Sequence, residues 1–234
     1  MPDTRIYSYE PELQGPHTYA LGAEGLVYRP PSGDRRVVRW AAIRYLEDVS
    51  GRKVDIVADG DAARIPLFYG TRRFSDLLSE VCARLSELHG DQLAGPATFR
   101  GNRAFFAHTA AVLGVFGVLV FGSLVVLDGR MVVWLFIVAA TLPMAIFVLR
   151  QPHTVTVGED GLLVKTFLRP RLISYGDIAA IRFDLYGDKH TAYLCIRVEL
   201  TSGRRVTILR FENLVLLYLM MTFNWQRYRA GQRA

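Results

Sequence analysis

The sequence predicts an α+β membrane protein: two copies of a strand-rich unit, each closed by a C-terminal helix, flanking a two-helix transmembrane hairpin. Three observations carry this. Residues 105–149 hold only two charged side chains, Asp128 and Arg130, in a chain of 234 residues that is 51% hydrophobic. The segment starting at Pro16 recurs at Pro152. In both flanks, short alternating stretches separated by turn residues give way to one longer helical stretch.

The hairpin follows from length. Residues 105–127 and 131–149 carry no charge, and at 1.5 Å per residue they extend about 34 and about 28 Å, against a hydrocarbon core of roughly 30 Å. Asp128-Gly129-Arg130 is too short to do anything but reverse the chain. Arg100, Arg103 and Arg150 flank the spans while Arg130 stands alone at the tip. The positive-inside rule then expects an inner-membrane protein of two spans with both termini cytoplasmic. No Asp, Glu, Lys or Arg lies inside either span, so ion translocation is not expected.

The net charge of +6 is concentrated late in the chain. That placement suits an anionic surface at least as well as nucleic acid. Arg204, Arg205, Arg210, Arg227, Arg229 and Arg233 lack the regular aromatic interleaving of a base-stacking surface, so no nucleic-acid partner is expected. Cys82 and Cys195 sit apart in apolar stretches, which excludes a disulfide framework and a zinc cluster.

The repeat has an offset of 136. Pro16-His17-Thr18 matches Pro152-His153-Thr154, and Gly22, Gly25 and Leu26 match Gly158, Gly161 and Leu162. Trp40-Ala41-Ala42-Ile43 then falls on Tyr175-Gly176-Asp177-Ile178, and Phe74-Ser75-Asp76-Leu77 on Phe211-Glu212-Asn213-Leu214. In the first copy, strands are expected at 18–21, 26–29, 35–39, 43–48, 53–58 and 63–67, then a helix over 71–89 with Thr71 as N-cap. In the second, strands are expected at 153–157, 161–166, 168–174, 178–185, 193–200 and 204–209, with a helix over 211–229. The resulting organisation is an N-terminal extension (1–16), a first domain (17–90), a linker (91–104), the hairpin (105–149), a second domain (150–229) and a tail (230–234).

A strand meander closed by a helix, with Gly161-Leu162-Leu163-Val164, then 169–174, then Tyr175-Gly176-Asp177-Ile178, resembles the bacterial pleckstrin-homology-like (PH-like) domains. The resemblance implies two PH-like, partly open β-barrels with a helix plugging one end of each, and binding or scaffolding rather than catalysis. Phosphoinositide recognition of the kind known in eukaryotic relatives would need a basic first hairpin loop. Here those loops are acidic, Ala23-Glu24 and Glu159-Asp160.

No phosphate-loop, nucleophile-elbow, HExxH or kinase pattern occurs, so no enzyme, no cofactor and no metal site is expected. His17 and His153 occupy equivalent positions and read as structural. The expected function is a non-enzymatic inner-membrane scaffold presenting two cytoplasmic PH-like domains to protein partners. The alternative is a lipid or small-ligand binding protein that uses the second domain. Two surfaces stand out. The turn carrying Phe167, Leu168, Arg169 and Arg171 is expected to face membrane lipid, with two apolar side chains and two arginines. In the last helix, Leu216, Leu217, Met220, Met221 and Phe223 are apolar where the first helix has Ser79, Glu80, Ala83, Arg84 and Ser86. A helix apolar on every side must be covered twice, so this face is expected to bury against the first domain, a partner protein or a second copy.

Overall fold

The computed structural model describes residues 5–10, 15–49, 53–59, 64–102, 148–186 and 193–232, with scattered positions between 105 and 146. The first half runs β1 (Arg5–Tyr9), β2 (His17–Leu21), β3 (Gly25–Arg29), β4 (Arg36–Arg39), a single 3-10 turn (Trp40–Ala42), β5 (Ile43–Val49), β6 (Lys53–Ala58), β7 (Arg64–Phe68) and α1 (Phe74–Leu93). The second half follows the same order: β8 (Ala97–Arg100), β9 (Pro152–Val157), β10 (Gly161–Thr166), β11 (Pro170–Ser174), a 3-10 turn (Tyr175–Asp177), β12 (Ile178–Tyr186), β13 (Tyr193–Leu200), β14 (Arg205–Leu209) and α2 (Leu214–Gly231).

Neighbouring strands pair antiparallel into four sheets, β1-β2-β3-β4, β5-β6-β7, β8-β9-β10-β11 and β12-β13-β14. Period-two alternation explains which residues turn inward. Tyr19, Leu26 and Tyr28 in the first half, and Val155, Val157, Leu162 and Val164 in the second, are buried on successive inward positions. Strands β1 and β8 fall within the segments read as extension and linker, and each supplies the first strand of a four-stranded sheet.

The same local devices recur at matched positions. The Trp40 indole N–H donates to the Gly22 carbonyl at 2.9 Å, and the Tyr175 hydroxyl donates to the Gly158 carbonyl at 2.9 Å. Each ring thereby staples the 3-10 turn to the preceding hairpin. A Cβ at Gly25 would overlap the Val38 carbonyl oxygen and lie 2.9 Å from Arg39 Cα; one at Gly161 would overlap the Ile173 carbonyl oxygen and lie 3.0 Å from Ser174 Cα. Arg73 (φ 60°) and Arg210 (φ 59°) both take the left-handed conformation immediately before a buried phenylalanine, Phe74 or Phe211. Thr71 serves α1 through its backbone, accepting from the Phe74 N–H at 2.9 Å, while the helix begins at Phe74 without a side-chain cap.

The expected fold class needs two corrections. The strands do not form barrels: the 3-10 turns after β4 and β11 interrupt the ladder, so the chain crosses to a separate three-stranded sheet. The expected transmembrane hairpin, 105–127 and 131–149, lies almost wholly outside the described residues. Among the described residues no helix is long and apolar enough to cross a membrane. Helix α1 carries Asp76, Glu80, Arg84 and Glu87 along its length, charges that are costly in hydrocarbon. Helix α2 ends on Arg227 and Arg229 and buries its middle in protein. The expected two-span inner-membrane placement with cytoplasmic termini is therefore withdrawn.

Candidate functional site

Two regions gather the residues singled out from the sequence. The first lies between the halves. Helix α1 packs on α2 and on β12 of the other half, while α2 packs on β5, the counterpart of β12. Leu217 and Met221 are fully buried and Met220 is 7% exposed. Phe223 sits against Gly90, where an added Cβ would come 2.7 Å from the ring. Tyr218 of α2 stands at the junction. Its ring stacks on Phe183 of β12 at 3.9 Å and its hydroxyl donates to Ser79 of α1 at 3.5 Å. Burial holds the Tyr218 hydroxyl above its ordinary pKa. The Asn224 amide donates to the carbonyls of Leu93 at 3.2 Å and Met220 at 2.8 Å, tying the ends of the helices together. Leu216 differs from its neighbours: it is 43% exposed and lines a cavity of about 580 Å³ between the halves with Tyr45, His89 and Asn213.

The signal for this interface was present in α1. Ser79, Ser86 and Gly90 recur near helical spacing on one stripe. Ser79 and Ser86 are polar, but small side chains at all three positions let a second helix approach closely. Leu88 is 52% exposed, and the next residue, His89, leaves helical geometry (φ −115°, ψ 19°).

The second region surrounds the β10–β11 turn. Thr166 closes it, its hydroxyl donating to the Arg169 carbonyl at 3.0 Å and accepting from the Arg169 N–H at 3.2 Å. Phe167 and Leu168 are 53% and 60% exposed. The Phe167 ring leans on Phe106 at 5.7 Å and His153 at 4.9 Å, so it is partly engaged by its own half. Leu168, Arg169 and Arg171 line a cleft of about 680 Å³ together with Arg150, Gln151 and Arg205. These side chains come from three separate stretches of sequence, which hid their convergence.

The remaining candidates have structural roles. Arg210, one of the arginines weighed for nucleic-acid binding, lies over the rings of Phe105 at 4.0 Å and Tyr193 at 4.1 Å, a cation held by aromatic faces. His17 is buried, its Nδ1 2.8 Å from the Tyr28 hydroxyl and its ring against Phe68 at 4.7 Å. Burial lowers its pKa. His153 has a different partner, the Thr154 hydroxyl at 2.9 Å. Both cysteines are buried; burial raises both thiols, Cys195 to about 11, which leaves little nucleophilic thiolate near neutrality. Among the described residues, no group of three His, Cys, Asp or Glu side chains is placed to hold a metal ion.

A four-stranded sheet, a 3-10 turn, a three-stranded sheet and a closing helix define the class of this second half. Residues 152–213 match the protein family described as bacterial PH domain, which supports a PH-like domain there. The match begins at β9 and ends just before α2. No curated protein matches the chain.

Proposed function

We propose that the chain carries two PH-like domains, the first being a second copy of the matched one, and that it works as a non-enzymatic scaffold for protein partners. The observation that carries this reading is an apolar row on the outer face of the first sheet. Ile6 pairs with Ala20, Ala20 with Val27 and Val27 with Val37. The two ends of the row, Ile6 and Val37, are 71% and 54% exposed. Side chains opposite one another across strands form one continuous surface, here spanning four strands. Helices α1 and α2 pack on each other, whereas the ends of this row are open to a partner. Leu172, 73% exposed on β11, sits at the position matching Val37.

The test is cross-linking of the full chain in its own cells, followed by identification of the linked peptides. Ile6→Asp and Val37→Asp should each abolish a stoichiometric partner while leaving the thermal midpoint of the purified protein unchanged, since both side chains are exposed. A partner retained by both variants, or a chain isolated without any partner, refutes the scaffold reading.

A further inference from the structure

We infer that the cavity between the halves is a binding site for a small uncharged molecule with an apolar body and one hydrogen-bonding group. Its apolar walls come from three elements that meet only in the folded chain: Leu85 and Leu93 of α1, Ile43 of β5, and Val215, Leu216 and Leu219 of α2. At about 580 Å³ it has the size of a small-molecule site, and such sites favour apolar linings at the junction of two folded units.

Comparison of the two helices explains why space is left. Where α1 meets β12, the Tyr218 ring stacks on Phe183 and its hydroxyl reaches Ser79. The alignment that sets Phe74 on Phe211 also sets Val81 on Tyr218 and Leu216 on Ser79. Val81 has neither the ring nor the hydroxyl to bridge the helices in the same way. Leu216 accordingly stays 43% exposed while Val215 and Leu217 beside it are buried. An exposed apolar side chain of this kind gains from an apolar occupant.

A second observation, independent of the first, calls for a polar group on the ligand. His89 lines the same cavity, and its Nε2 is buried without a hydrogen-bond partner in the protein. A buried nitrogen left unpaired is destabilising, and an imidazole nitrogen donates or accepts according to its tautomer. One water would pair it, but a water occupies about 30 Å³ and leaves the apolar walls uncovered. Charge selects against an ion. Among the described residues, the Asp, Glu, Lys and Arg side chains lining the cavity are Arg44 and Asp59, which pair with each other and are both exposed. A carboxylate or phosphate would therefore enter without a free counter-charge, whereas a hydroxyl or carbonyl needs only His89. The ligand class is thus a neutral alcohol, phenol or ketone with an apolar frame. The cavity shares no described lining residue with the cleft at the β10–β11 turn and does not rest on the scaffold reading.

The experiment uses the full chain with benzophenone as the probe, an uncharged ketone with apolar rings that inserts into neighbouring C–H bonds on irradiation. Labelling should saturate with probe concentration, and peptide mass spectrometry should place the cross-links in residues 85–93 and 215–219. Leu216→Trp fills the cavity and should abolish these cross-links with the thermal midpoint unchanged, since the side chain is exposed; Leu172→Trp, on the exposed face of β11, should change neither. His89→Phe keeps a ring and removes the nitrogen. Half-saturation should then rise about two- to tenfold, the worth of one hydrogen bond, without a lower midpoint, an outcome a purely structural histidine would not produce. Labelling that never saturates, cross-links centred elsewhere in the chain, or equal half-saturation with and without Leu216→Trp overturns the site; unchanged half-saturation in His89→Phe overturns the ligand class.

Discussion

Replacing Tyr218 tests whether the two halves unfold as one. The side chain is 5% exposed and belongs to α2; it stacks on Phe183 of its own half and reaches Ser79 of α1 in the other. Removing a large buried ring costs about 3–5 kcal/mol through lost transfer free energy and the cavity left behind. Tyr218→Phe keeps the ring and loses only a long hydrogen bond, worth about 0.5–1.5 kcal/mol. For a chain of this size each kcal/mol moves the midpoint by roughly 2–4 °C, so Tyr218→Ala should lower it by about 6–20 °C and Tyr218→Phe by under about 6 °C. Thermal unfolding followed by circular dichroism gives the midpoint, and native-state hydrogen exchange locates the loss. Because α1 packs on both α2 and β12, the two elements Tyr218 joins, amides of α1 should lose protection together with those of α2. Retained protection in α1, or a loss below about 1 kcal/mol for Tyr218→Ala, would refute a shared interface as the source of cooperativity.

Two further outcomes follow from local geometry. Gly25→Ala and Gly161→Ala should each destabilise by about 1–3 kcal/mol, because the new methyl overlaps a backbone carbonyl, while Gly22→Ala, whose nearest neighbour would be 3.5 Å away, should be close to neutral in urea unfolding. His17 has a folded pKa below its ordinary value near 6.5, so the unfolded chain takes up a proton first as pH falls. Stability should then be complete above about pH 6.5 and decline from there toward the folded pKa, a slope that His17→Phe should remove; an unchanged slope in that variant would assign the pH dependence elsewhere.

Most strands could be read directly because they come as hairpins: alternating apolar residues with a turn between them, as in Gly158-Glu159-Asp160-Gly161 joining β9 to β10. Strands β1 and β8 could not. Each is short and has its partner beyond a break, and β8 pairs with a strand more than fifty residues further on, so no turn marks it. The need to cover α2 was legible from its composition, but the covering surface was not, because Ser79, Glu80, Arg84 and Ser86 are polar. The arginine cleft was half legible, as Arg169 and Arg171; Arg150 and Arg205 join only once β9 and β14 are in place. The apolar stretch 105–149 was the strongest signal by composition and was set against a structure in which no described helix is suited to cross a membrane.

The position of that stretch has a topological consequence. It does not join one half to the other; it interrupts the second. Strand β8 ends at Arg100 and β9 starts at Pro152, side by side in one antiparallel ladder, with the Gly101 N–H donating to the His153 carbonyl at 2.8 Å. Residues 101–151 therefore leave and re-enter the fold at neighbouring points, where the first half has only residues 10–16. Closing a loop some seven times longer raises the entropic penalty by about 1.8 kcal/mol, which the β8–β9 pairing must overcome. During synthesis β8 emerges long before its partner, so the second half can begin to assemble only after the whole intervening segment has been made. The first half, complete by Leu93, can by then already be folded and offer α1 as a template.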